Sequence, residues 1–215
     1  MNNTTSIYQD AIRLLFLLVF GAEEFEDQSD STLKGVFKGK ARLYALDFWV
    51  RYPDYFAHEL LAKFKETGDV QYFQKAEDIF QDNEPDLRRI PMIRYLFGAY
   101  ENFDNTLAIL ISKGLVIQAG SKTPKKIQHY DFIISKKAYE VVDEASTQFP
   151  ILRWYEDRAK LVISIAGDRA GHILKNRQYE HIEYAKTKLG GVIPSIKEEI
   201  QEQLIQLKKS FKTAG

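Results

Sequence analysis

Apolar residues recur along this chain mostly at helical spacing, with one stretch in the middle that changes rhythm. Ile7, Leu14, Leu15, Leu18 and Val19 fall near one face of a helix over residues 5–21, with Thr5 or Ser6 as its N-cap. Residues 23–31 are acidic and polar and read as a loop. Leu43, Leu46 and Val50 mark a helix over 42–50, and Pro53 suits the first turn of the next, over 54–65. Thr67-Gly-Asp69 ends it, and a shorter helix over 70–80 follows before the polar break 81–86. Beyond Phe149-Pro150 the pattern predicts helices over 152–166, 172–189 and 194–212, punctuated by Gly167, Gly171 and Gly190-Gly191. In the last, Ile193, Ile196, Ile200, Leu204, Leu207 and Phe211 form a narrow seam that packs on its own domain or on a partner helix.

Residues 86–145 differ. Helical patterns over 90–100 and 102–113 are stopped by Gly114, and two β-prone runs follow at 115–119 and 128–134. Between them lies the polar turn Gly120-Ser-Lys-Thr-Pro-Lys-Lys126, and a helix closes the segment. Helices, strand, basic turn, strand and helix is the order of a winged helix. The chain therefore reads as mostly α, with a winged-helix unit carrying a small antiparallel β-hairpin wing at 86–148. Helical regions at 1–85 and 149–215 flank it.

Charge decides what that unit would bind. Lys+Arg and Asp+Glu number 30 each, so no basic excess points to a dedicated DNA binder. The outward side of helix 102–113 offers Glu101, Asn102, Asp104, Asn105, Thr106 and Lys113. Two carboxylates there would repel phosphates, and Lys113 is the lone cation, so base reading is disfavoured. Lys122, Lys125 and Lys126 in the wing form a local basic patch, fit for DNA backbone or an acidic partner, or simply a solvated turn. Arg88, Arg89 and Arg94 make a second cluster, open to pairing with Glu84, Asp86 or Glu101. Tyr95, Tyr100 and Phe103, with Leu204, Leu207 and Phe211, are the apolar candidates for a partner surface.

Catalytic patterns are sparse. Gly35-Val-Phe-Lys-Gly39-Lys40 has three residues between its glycines where a phosphate loop needs four, and Ala41 stands in place of Ser or Thr. His58-Glu59 lacks the second histidine of a zinc-protease helix, and Asp168 with His172 reads as a polar cap. The chain holds no cysteine, which removes disulfides, thiolate–zinc sites and thiol catalysis. The expectation is no catalytic residue, no metal ligand and no cofactor. The apolar run 12–20 contains Arg13 and is shorter than a membrane span, so a buried helix and a cytoplasmic protein are expected.

Three phrases carry a family resemblance. Arg42-Leu-Tyr-Ala-Leu-Asp-Phe-Trp-Val-Arg-Tyr-Pro-Asp-Tyr-Phe56 resembles the early helix pair of middle components from bacterial ABC three-component systems. Pro91-Met-Ile-Arg-Tyr-Leu-Phe-Gly-Ala-Tyr100 leading into Leu110-Ile-Ser-Lys-Gly-Leu-Val116 is similar to their winged-helix segment. Leu174-Lys-Asn-Arg-Gln-Tyr-Glu-His-Ile-Glu-Tyr184 looks like their late helix. The small C subunit of Lamassu anti-phage systems is the nearest type. The resemblance spans about residues 42–207. It implies a subunit without chemistry of its own that binds an SMC-like, Rad50-related ATPase and couples it to an effector nuclease. A winged-helix transcription regulator is the alternative.

Overall fold

The structure is a computed structural model, and it describes residues 7–81, 92–95, 98–100, 103–122 and 128–213. Side chains at 95, 98, 100, 121, 122, 128, 129 and 211–213 are not described. The N-cap candidates Thr5 and Ser6, the basic pair Arg88 and Arg89, and Lys125 and Lys126 lie outside these residues.

The first helix, α1 (Ile7–Phe20), is apolar all round from Ala11 onward, and such a helix has no solvent face. It is buried from Asp10 to Val19 except at the half-buried Ile12, while Ile7 stays partly exposed. Its single internal cation, Arg13, survives burial because Asp10 and Asp47 both accept from it at 2.6 Å.

Two strands follow, β1 (Glu23–Glu24) and β2 (Leu33–Phe37). The second alternates inward Leu33, Gly35 and Phe37 with outward Lys34, and its partly exposed Val36 faces the other way. The sequence reading left this run unassigned and placed a loop across 23–31. Further on come β5 (Val116–Lys122) and β6 (Gln128–Ser135). The four form one antiparallel sheet in the order β1-β2-β6-β5. Val116 pairs Ile134, Lys122 pairs Gln128, and Phe37 pairs Phe132. Phe37, Phe132, Ile134 and Val116 all lie on the buried face.

Between β2 and β5 the chain builds a helical layer. Helices α2 (Lys40–Arg51), α3 (Pro53–Thr67) and α4 (Val70–Gln81) match the predicted spans closely, with Pro53 in the first turn of α3. Gly68, at φ 72°, closes α3 in the left-handed conformation that glycine adopts without strain. The predicted helix over 90–100 is corrected: β3 (Ile93–Tyr95) and β4 (Gly98–Tyr100) form a hairpin. Its outer edge pairs with the late chain, where the Arg94 N–H donates to Gly191 O at 2.9 Å and Gly190 N–H donates to Arg94 O at 2.8 Å. Backbone pairing across a long sequence gap overrode the local periodicity here.

Helix α5 (Asp104–Ser112) precedes β5, and α6 (Lys136–Gln148) follows β6 with the Ser135 side chain capping its first turn. A single 3-10 turn (Pro150–Leu152) leads to α7 (Arg153–Ala166). The predicted helix over 172–189 is two helices, α8 (Gly171–Glu180) and α9 (Ile182–Lys186), broken at His181, whose backbone turns extended. At Gly171 a Cβ would come within 2.3 Å of the Arg42 backbone nitrogen, so only glycine permits α8 to start against α2. The last helix is α10 (Lys197–Thr213). One continuous apolar core runs from α1 and the sheet through α2, α3 and α7 to Ile200 and Leu204 of α10. No helix among the described residues is long and apolar enough to cross a membrane.

Candidate functional site

Helix α5 is set by Phe103, Thr106, Leu107 and Leu110, which are buried. The sequence pattern places Thr106 outward. The helix is rotated from that, so Thr106 is buried and Ile111 is 39% exposed. Phe103, named as a partner-surface candidate, is corrected: it is fully buried, with its ring 4.9 Å from that of Tyr44. The outward face is Asp104, Asn105, Ala108, Ile111 and Ser112. Lys40 pairs with Asp104 at 2.7 Å across from α2, and Lys137 donates to Lys113 O at 3.0 Å.

The seam of α10 resolves in part. Ile200 and Leu204 are buried and Leu207 is half-buried against the core, while Ile193 and Ile196 lie before the helix begins. Leu204 is thereby corrected from partner surface to intrachain packing against α3. The side chains of Tyr95, Tyr100, Phe211 and Lys122 lie outside those described, as do Lys125 and Lys126. Arg94 is held by the Thr187 carbonyl and stands over the Tyr179 ring at 5.4 Å.

The rejected phosphate-loop segment sits where α2 starts. Gly39, at φ 87°, is the residue before α2, and its N–H donates to Asp131 Oδ1 at 2.9 Å. Lys38 pairs with Glu23 at 2.5 Å and Arg42 donates to the carbonyls of Arg169 and Gly167. The groups an anion would need are thus spoken for inside the chain. Asp168 lies in the turn before α8 and His172 is exposed on its first turn, so the two do not share a helix.

A different cluster emerges where α3 meets the α8–α9 break. His58 and Glu59 come from α3 and His181 from the break. One donor atom from each lies within 4.8 Å of the others. The two imidazole rings meet edge to face with centroids 4.4 Å apart. Glu59 is buried, and Arg177 of α8 donates to its Oε2 through Nε at 2.8 Å. Burial, then His181, Lys65 and Arg177, push the His58 imidazole down to about 4. Burial also lowers His181, against the pull of Glu199, Glu183, Glu180 and Asp54. Burial raises Glu59, against Arg177. Both rings are therefore neutral near pH 7. His58 Nδ1 is buried without a hydrogen-bond partner.

The sequence holds only half of this cluster in view. His58-Glu59 is a visible pair, but His181 lies far along the chain, and a helix break rather than a helix face delivers it. Comparison with protein-family models, with curated proteins and with solved structures finds no match to this chain.

Proposed function

We propose that this chain is a non-enzymatic accessory subunit of an SMC-like, Rad50-related ATPase complex in anti-phage defence. It would bridge that ATPase to an effector nuclease, in the cytoplasm and without a cofactor. The resemblance of residues 42–56, 91–116 and 174–184 to middle components of ABC three-component systems motivates the reading. In it, α5, β5 and β6 act as the recognition helix and wing of a winged-helix-type unit. The strand β2 pairs beside β6, and α1 packs behind as the leading helix.

The observation that carries the reading is the outward face of α5. Asp104, Asn105, Ala108, Ile111 and Ser112 present no cation, and Lys40 is already paired with Asp104. A helix that reads the major groove needs cations near phosphates and Arg, Asn or Gln at base edges. A small apolar step flanked by short polar groups suits a protein partner instead. Any DNA contact would fall to Lys122, Lys125 and Lys126, through phosphates and without sequence preference.

The test is co-expression of this chain with an SMC-like ATPase and an effector nuclease of an ABC three-component system. A stable ternary complex, with neither ATP hydrolysis nor DNA cutting by the isolated chain, is expected. Specific binding of the isolated chain to one operator sequence, with no affinity for the ATPase, would favour the transcription-regulator reading.

A further inference from the structure

We propose that His58, Glu59 and His181 bind a single divalent transition-metal ion of the zinc class, clamping α3 to the junction of α8 and α9. Two imidazoles and one carboxylate are a donor set that zinc and non-haem iron(II) use, with water completing the shell. The hard cations calcium and magnesium ask for more oxygen donors than this cluster holds.

The geometry leaves a gap that an ion would fill. The donor atoms lie within 4.8 Å of one another, and donor distances of ~2.0–2.1 Å in a tetrahedral shell would set them at ~3.3 Å. Neither imidazole makes a side-chain hydrogen bond among the described residues, although His58 Nδ1 is shut off from solvent. Buried polar atoms normally find a partner, and His58 Nδ1 lacks one. A metal ion supplies it.

The surroundings fit a cation. Arg177 engages Glu59 through Oε2, which orients the carboxylate and leaves Oε1 to ligate, as outer-shell partners of metal sites do. Glu180, Glu183 and Glu199 lie near His181, against Lys65 and Arg177 near His58. Glu59 and Arg177 also line a cleft with Lys63, Glu66 and Arg169.

The experiment uses the untagged full-length chain, stripped with a chelator and titrated with Co²⁺ while visible absorption is followed. One equivalent should bind and give the ligand-field bands of a low-coordinate site, and Zn²⁺ should displace it. His58→Gln and His181→Gln should each weaken Co²⁺ binding at least ~10-fold. His172→Gln, on the exposed first turn of α8, should leave it unchanged. One equivalent of Zn²⁺ should raise the Tm of the unaltered chain and of His172→Gln, and should not raise that of either site variant. Absence of saturable Co²⁺ uptake by the unaltered chain overturns the proposal, whatever the variants do. So does binding that survives both site substitutions, or that His172→Gln removes.

Discussion

Arg13 and Asp47 form an ion pair with almost no contact with solvent: Nε donates to Oδ1 at 2.6 Å, and the two side chains are 3% and 0% exposed. Asp10 adds a second acceptor at 2.6 Å, and Arg51, itself buried, feels the charge of Asp47. The pair ties α1 to α2 at the centre of the core. A buried pair contributes little beyond what apolar packing would, but removing one partner strands the other charge. Asp47→Ala should therefore destabilise the chain by ~3–5 kcal/mol in urea unfolding. A single Asp47→Ala costing less than about 1 kcal/mol would show that Asp10 suffices to hold Arg13.

Asp54 joins the start of α3 to the start of α10. It is fully buried, and its Oδ2 accepts from Ser195 Oγ at 2.7 Å and from Ile196 N–H at 2.8 Å. The carboxylate thus caps the approach to α10 from outside that helix. Hydrogen bonds to a charged group contribute ~1.5–3 kcal/mol. Asp54→Ala should lower stability by about that amount and make α10 the first segment released in limited proteolysis. Cleavage elsewhere with α10 still protected would place the anchoring in Ile200 and Leu204 instead.

How far the sequence reveals this molecule depends on the range of the forces involved. Helices α2, α3, α4 and α7 are legible because their apolar spacing, Pro53 and Gly68 act within a few residues. The hairpin β5-β6 is legible for the same local reasons. Strands β3 and β4 are not, because they pair with each other and Arg94 of β3 pairs with the distant Gly190 and Gly191. The break at His181 escapes notice because Tyr179, Tyr184 and Leu174 continue an apolar rhythm across it. At the site level, His58-Glu59 is visible and the partner that completes the cluster is not. Phe103 was misread as surface because one end of a short helix can turn either way on periodicity alone, and the ring of Tyr44 decides it.

Acid should weaken the metal-free chain through His58. Its imidazole is held down to about 4 in the folded state, against an ordinary 6.5. The unfolded chain takes up a proton below pH ~6.5, while the folded chain resists until pH ~4. This contribution is therefore complete above pH ~6.5 and lost as pH falls through the interval down to ~4, by up to ~3 kcal/mol. The lowered His181 acts in the same direction. Urea unfolding at pH ~7.5 and ~4.5, with chelator present, measures it. His58→Gln should show a shallower fall than the unaltered chain. Parallel pH profiles would mean that His58 is solvated when folded.

The outward face of α5 separates a binding surface from a packing surface by one helical rotation. Ile111 is 39% exposed and Phe103 is fully buried, though both are apolar residues of one short segment. Truncating Phe103 should cost ~3–5 kcal/mol of folding stability, because it opens a cavity against Tyr44. Ile111→Asp should cost about 1 kcal/mol, well below the Phe103 truncation, since Ile111 is 39% exposed and a carboxylate there reaches water. If α5 is the partner surface, the same Ile111→Asp should place an unpaired charge in the interface. It should weaken binding of the SMC-like ATPase by ~2 kcal/mol or more, about 30-fold. The two measurements on one variant are unfolding of the isolated chain and affinity for the assembled partner. Loss of affinity with stability intact assigns α5 to the interface. Affinity within about twofold of the unaltered chain would remove α5 from it and leave the wing lysines and the chain beyond Leu207 as the surfaces to test.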